Sequence, residues 1–184
     1  MSFASKDLGG VPTHHLADLG MGYVPQESNT FPDLSVRDNL AVSLRGETPM
    51  EVRRKIDLIA ESYPALSERM GQNASTLSGG ERQMLALATA MIGEPEFLAL
   101  DEPTTGLAPS IVRDRIDDIL QIREAGTTLL WVIEESPLIC LPHADRVYVM
   151  QGGVLAAPVT SEVVLQDAAL HSLFFGVDQA EGES

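Results

Sequence analysis

Four consecutive apolar residues, Phe97-Leu98-Ala99-Leu100, run without interruption into two carboxylates, Asp101 and Glu102. A strand with no polar face has to be covered on both sides, which is the condition of a strand inside a parallel sheet. The flanking sequence fits that setting. Gly79 to Ile92 carries Met84, Leu85, Leu87, Ala88 and Met91 at helical spacing, and Gly93 with Pro95 stops it. Ser110 to Glu124 reads as a second helix ended by Gly126, and Thr127 to Ile133 as a β-rich run with Trp131 in its middle. Strand, helix, strand implies a right-handed crossover and an α/β fold on a parallel sheet.

Upstream, Gly22-Tyr23-Val24-Pro25 is a brief extended run closed by proline. Ser35-Val36-Arg37-Asp38 then opens an amphipathic segment with S-x-x-D spacing, and Thr48-Pro49-Met50-Glu51 gives a stronger helix start. Residues 20 to 70 therefore read as a strand followed by a mostly helical region. The first ten residues are turn-rich and without periodicity. Downstream, Asp145 to Met150 is expected as a third strand, Gln151-Gly152-Gly153 as a tight turn and Val154-Leu155-Ala156 as a return strand. Thr160 to Phe175 reads as helical and Asp178 onward as polar and frayed.

Composition narrows the function classes. With 184 residues and 44% apolar content the chain can bury a core, and one domain is the default. A formal net charge of −15 argues against a nucleic-acid partner, since such binding rests on clustered Lys and Arg. The nearest basic run, Arg53-Arg54-Lys55, reads as solvated helix surface. The single Cys140 lies in an apolar stretch and is expected as a buried, inert thiol in a reducing cytosol. No apolar run reaches bilayer-spanning length, and the N-terminus lacks the order of a signal peptide, so membrane association is expected through a partner.

Two places carry chemistry. A carboxylate at the carboxyl end of a buried strand sits where α/β sheets place ligands, and Asp101 there can hold Mg²⁺, directly or through water. Glu102, pointing the other way, can orient or deprotonate an attacking water. The second place is Leu77-Ser78-Gly79-Gly80-Glu81, directly before a helix. Its glycines and serine let backbone N–H groups and a hydroxyl approach an anion at a helix N-terminus, where the macrodipole favours negative charge.

LSGGE, a helix carrying Gln83, FLALDEP, and Thr104-Thr105-Gly106-Leu107 at this spacing resemble the ABC ATPase family. LSGGE resembles its signature, FLALDE its Walker B strand, and Gly106-Leu107-Ala108-Pro109 its D-loop. Tyr23-Val24-Pro25-Gln26 resembles the Q-loop, and Asp145 to Met150 the strand after the switch region. Leu16 to Gln26 and Phe31 to Leu40 are similar to the branched-chain amino-acid importers, with urea importers close to them. Trp131-Val132-Ile133-Glu134-Glu135 is similar to the same branch, which often reads V-E-Q where other members have histidine.

The resemblance implies a P-loop-NTPase-like parallel sheet with a helical subdomain. Residues 1–184 would form a partial ABC nucleotide-binding domain lacking its N-terminal strands and Walker A, with the helical and signature subdomain at about 27–90. It implies ATP and Mg²⁺ as cofactors, a second ABC ATPase subunit and integral membrane permease subunits as partners, and a peripheral place on the cytoplasmic face of the inner membrane. Implied roles are Mg²⁺ contact for Asp101 and Gln26, nucleotide contact for Gln26, Ser78, Gly79 and Gly80, and catalysis for Glu102 and Glu135.

Departures matter as much. No G-x-x-x-x-G-K-[ST] occurs in the sequence, so the backbone cradle and lysine for the β- and γ-phosphates are missing from it. The family places that loop upstream, and about forty residues or more are expected there, including a strand beside the Walker B strand. Loss of that segment would leave the isolated chain marginally stable. Glu135 stands where a histidine or glutamine would meet the γ-phosphate, and a carboxylate there repels it. Thr89 stands where the family usually has arginine. Three readings follow: a partner that lends its signature to an intact ATPase, a fragment without independent activity, and a DNA-repair or chromosome-organising ATPase. The last is disfavoured by the acidic charge and the lack of a heptad-rich arm.

Overall fold

The computed structural model describes residues 2–27, 29–106, 109–134 and 137–166. They group into two compact units, Met1–Val132 and Ile133–Ser184.

The first unit opens with a hairpin of β1 (Ser2–Phe3) and β2 (Lys6–Asp7). Ala4 and Ser5 make its turn at φ 45° and 66°, both left-handed, which is the type I′ geometry without the usual glycine. β3 (Met21–Val24) follows, then α1 (Val36–Val42), α2 (Pro49–Ser62) and α3 (Pro64–Ser67). The helix starts are where the capping chemistry puts them. Ser35 accepts from the Asp38 N–H, and Thr48 and Glu51 complete a reciprocal capping box with Pro49 at the first turn. Arg53 and Arg54 lie exposed on α2, whereas Lys55 turns inward to pair with Glu47 at 2.7 Å.

α4 (Gly79–Met91) then leads into β4 (Phe97–Asp101), α5 (Pro109–Glu124) and β5 (Thr128–Val132). β3, β4 and β5 form one parallel sheet in that order. β4 is the middle strand and fully buried at Leu98 and Leu100, as its unbroken apolar run requires. Both edges of β4 are therefore occupied by this chain. That corrects the expectation of a further strand beside it: a strand has two hydrogen-bonding edges, so any addition must pair outside β3 or β5.

α4 is shared by two cores. Leu85, Ala88 and the adjoining Ile92 join Val36, Leu40, Ile56 and Leu66 beneath the helices. Ala86 and Leu87, on its other side, join Val24, Leu98, Leu100 and Ile119 against the sheet. Burying a leucine is worth roughly 1.5–3 kcal/mol, so this one helix couples the two layers strongly. Gly22 is fixed by close approach: a Cβ there would meet Leu98 Cδ1 at 2.9 Å.

The second unit holds α6 (Pro137–Cys140), the hairpin β6 (Met150–Gln151) and β7 (Val154–Leu155), and α7 (Ser161–Gln166). Gly152 and Gly153 turn the hairpin at φ 56° and 79°, the left-handed pair glycine permits. Cys140 is buried, as expected. The third strand expected over Asp145–Met150 is not continuous: Val147 makes a single bridge with Val159, and only Met150 enters a strand. The return segment meets it through Val159 at Val147 and through the Ala156 N–H, which donates to the Val149 carbonyl at 2.9 Å, and these contacts do not join into a continuous ladder with the hairpin. The expected tail helix is described as far as Gln166; its remainder and the frayed end lie outside the described residues.

Candidate functional site

The end of β4 and the loop after β3 meet side by side because the two strands are in parallel register, with Val24 opposite Leu100. Asp101 and Gln26 are thus brought from 75 positions apart to one end of the sheet. Gln26 Nε2 donates to Glu102 Oε2 at 2.7 Å, and the Thr105 hydroxyl donates to the same oxygen at 2.9 Å. The Tyr23 hydroxyl donates to Asp101 Oδ2 at 3.1 Å, and that bond pushes the Tyr23 pKa above its usual value. Tyr23 lies in the stretch likened to the Q-loop, but only Gln26 of that stretch was expected at the site.

Glu102 holds a backbone φ of 46°. A non-glycine residue in the left-handed region costs free energy, of order 1–3 kcal/mol, and persists where surrounding bonds over-determine it. Here its N–H donates to Val132 O at 3.0 Å, and two side chains grip its carboxylate. The two acids at this strand end are held by different side chains, Asp101 by Tyr23 and Glu102 by Gln26 and Thr105. Gln26, Asp101, Glu102, Gln83 and Arg115 line one small pocket there.

The signature turn is built differently. Ser78 caps α4: its hydroxyl accepts from the Glu81 N–H, and Glu81 accepts the Ser78 N–H at 2.8 Å. These bonds hold the Glu81 carboxyl below its usual range. Arg69 Nε reaches Glu81 at 2.9 Å, and Arg82 donates to the Leu77 carbonyl. Gly79 and Gly80 lie in the first helical turn, where N–H groups have no helical partner. Among the described residues outside this helical turn, nothing lies within 4 Å of where a Cβ on either glycine would stand. The fold therefore does not demand glycine at these positions, yet glycine in a helix costs roughly 0.5–1 kcal/mol relative to alanine.

The sequence-read residues thus fall into two places. Gln26, Asp101 and Glu102 come together, while Ser78, Gly79 and Gly80 do not line their pocket. Glu135, Leu107 and Ala108 lie outside the described residues. Thr89 sits within α4 with its hydroxyl buried and unpartnered.

The residues present fit a hydrated Mg²⁺ at one carboxylate with an amide beside it, since that ion keeps waters and borrows substrate phosphate oxygens. No cluster of three or more His, Cys, Asp or Glu side chains occurs among the described residues. The bare glycine turn fits a phosphate group. A cradle for the β- and γ-phosphates has no counterpart in the sequence.

A three-stranded parallel sheet, an acidic strand end and a serine-glycine helix start define a nucleotide-binding cassette. Residues 2–105 match the ABC transporter family, and the chain belongs to it, among its ATP-binding subunits. It is 33% identical over 171 residues to the probable branched-chain amino acid transport ATP-binding protein LivF of Archaeoglobus fulgidus, covering 93% of this chain and 72% of that protein. It is 32% identical over 174 residues to the high-affinity branched-chain amino acid transport ATP-binding protein BraG of Pseudomonas aeruginosa, covering 95% and 74%. The lipopolysaccharide export system ATP-binding protein LptB of Haemophilus influenzae is 32% identical over 176 residues, covering 93% and 71%. Among solved structures, an ATP-binding cassette of an ABC transporter in its ADP conformation superposes with a TM-score of 0.72 at 24% identity, covering 88% of this chain and 70% of that one.

Proposed function

We propose that this chain is an ATP-binding subunit of an importer for branched-chain amino acids, and that its Ser78-Gly79-Gly80 turn completes a nucleotide site on a second ATPase subunit. The observation that carries this is the turn itself: two glycines with open space, among the described residues, where a Cβ would stand, at the N-terminus of a thirteen-residue helix. The two N–H groups and the Ser78 hydroxyl hydrogen can donate to a phosphate brought from outside. The helix dipole adds favourable charge.

At the acidic end, Asp101 with Gln26 would hold Mg²⁺, whose contribution is to neutralise phosphate charge. Glu102, held by Gln26 and Thr105, would accept the proton of a water. Glu135 is proposed as a third group near the γ-phosphate, where its charge opposes turnover. The reading includes a helical subdomain over about 27–90, permease subunits as partners and a peripheral place on the cytoplasmic membrane face. No helix among the described residues is long and apolar enough to cross a membrane.

The relatives LivF and BraG favour branched-chain amino acids as the solute, while LptB at similar identity makes lipopolysaccharide the competing cargo. The test is to purify the chain with its partner ATPase and permease subunits and to inactivate the partner's own signature. ATP hydrolysis that persists, rises with leucine and is lost on Ser78→Arg supports the reading. Hydrolysis that is unaffected by Ser78→Arg overturns the signature role, and stimulation by lipopolysaccharide instead of leucine overturns the solute.

A further inference from the structure

Arg115 is a charged side chain in an apolar setting. It lies on α5 between Val112, Ile116 and Ile119, all buried, and is itself only 5% exposed. Its Nη1 pairs with Asp118 at 3.1 Å, and its Nη2 donates to the Gly80 carbonyl at 3.3 Å, across 35 positions of sequence. Its Nε is buried with no hydrogen-bond partner, and Arg115 lines the cavity that reaches Gln83, Asp101 and Glu102. Burial raises the Asp118 pKa, with Arg115 opposing that rise.

Core packing does not explain this arrangement. Taking a guanidinium out of water costs several kcal/mol, and replacing a whole buried ion pair by apolar side chains of similar volume is often neutral or stabilising. A buried ion pair is best attested as a device for fixing one arrangement among several. What this one fixes can be read from its contacts. α5 begins just after the Asp101-Glu102-Pro103 turn, and Gly80 is the second residue of α4. The planar fork of arginine can hold Asp118 and the Gly80 carbonyl together, which a lysine ammonium cannot do with the same geometry. The remaining Nε and the buried, unpartnered Gln83 Oε1 lie along the same cavity, whose volume of about 20 Å³ admits about one water.

We propose that Arg115 is a positioning residue for the signature turn: it ties the Gly80 carbonyl to α5 and so sets the Gly79 and Gly80 N–H groups relative to the acidic strand end. The inference rests on the signature turn meeting a phosphate, but its structural half stands apart from that reading. Arg69 and Arg82 hold the turn from Glu81 and Leu77. Arg115 is the tie between the turn and α5.

The experiment is amide hydrogen exchange on the full chain, comparing wild type with Arg115→Met and Arg115→Lys. Arg115→Met is expected to speed exchange at Glu81, Arg82 and Gln83 at least tenfold while leaving Ile116 to Ile122 of α5 within about threefold. Arg115→Lys is expected to give a smaller acceleration at the same amides, and it serves if the methionine variant does not fold. Unchanged exchange at the start of α4, or uniform acceleration across α4 and α5, overturns the proposal. In the partner ATPase assay, Arg115→Met is expected to lower turnover about tenfold with partial recovery in Arg115→Lys, the size expected of positioning rather than contact. If the wild-type chain supports no partner turnover, the signature reading fails while the exchange result still decides the role of Arg115.

Discussion

The two halves of the candidate site are held in opposite ways. At the acidic strand end, each carboxylate is gripped by its own chain, Asp101 by Tyr23 and Glu102 by Gln26 and Thr105. The neighbouring glycine, Gly22, is there because Leu98 leaves no room for a Cβ. At the signature turn, the backbone is capped and Arg115 holds the Gly80 carbonyl, but among the described residues outside this helical turn nothing lies within 4 Å of where a Cβ of Gly79 or Gly80 would stand. A glycine required by the fold and a glycine tolerated at a cost look the same in sequence. The difference teaches that the acidic carboxylates are oriented by this chain's own side chains, whereas the turn leaves open space over its glycines, as the proposed phosphate contact requires.

That contrast can be broken in several ways. The largest effect is expected from Gly80→Asp, which places a carboxylate where a phosphate would approach. Partner-dependent ATP hydrolysis should fall by about 100-fold or more, the scale of losing an oxyanion donor, with the melting temperature kept. A stable variant with full turnover would remove the turn from the site. Gly22→Ala should do the reverse, destabilising the chain by about 1–3 kcal/mol through overpacking against Leu98, measured by urea denaturation. Gly80→Ala should instead leave stability equal or raise it by about 0.5–1 kcal/mol. If both glycines behave alike, the contrast fails.

A finer test uses pH. Glu81 has its folded pKa lowered from 4.5 by its bonds to Ser78. Its contribution is therefore present above that ordinary value and is lost as pH falls through the lower folded one. Glu81→Gln should flatten the acid side of the stability curve while leaving stability near neutrality reduced by a constant amount. The smallest effect is expected from Glu102→Gln: its pocket is not lined by Ser78, Gly79 or Gly80, so turnover at a partner site that borrows only the signature turn should change by less than about threefold. A loss of 100-fold, the usual size for removing a working general base, would show that the acidic end hydrolyses ATP itself.

Much of the site was legible because its signals are local. The run Phe97 to Leu100 sets a buried strand by polarity alone, and Ser78, Thr48 and Ser35 announce helix starts because a cap needs only a side-chain oxygen and an N–H three residues on. The parallel sheet followed from strand, helix, strand. Where pairing depends on a distant partner, local pattern failed: Asp145 to Met150 has strand-like residues, but its contacts with the opposed segment at Val147, Val149 and Met150 do not make one continuous strand. The expectation of an added strand beside β4 failed for the same reason, because strand order is not written in any one strand.

The sequence by itself determined the apolar strand, the caps, the acidic pair and the serine-glycine turn, since each is fixed by residue type and spacing over a few positions. Only the tertiary structure decided that β4 is the central strand, that Tyr23 and Gln26 reach the two acids, that Glu102 turns through a left-handed backbone, and that Arg115 meets Gly80. Those are contacts between segments tens of residues apart. Their energies depend on register and burial, which exist only once the chain has folded.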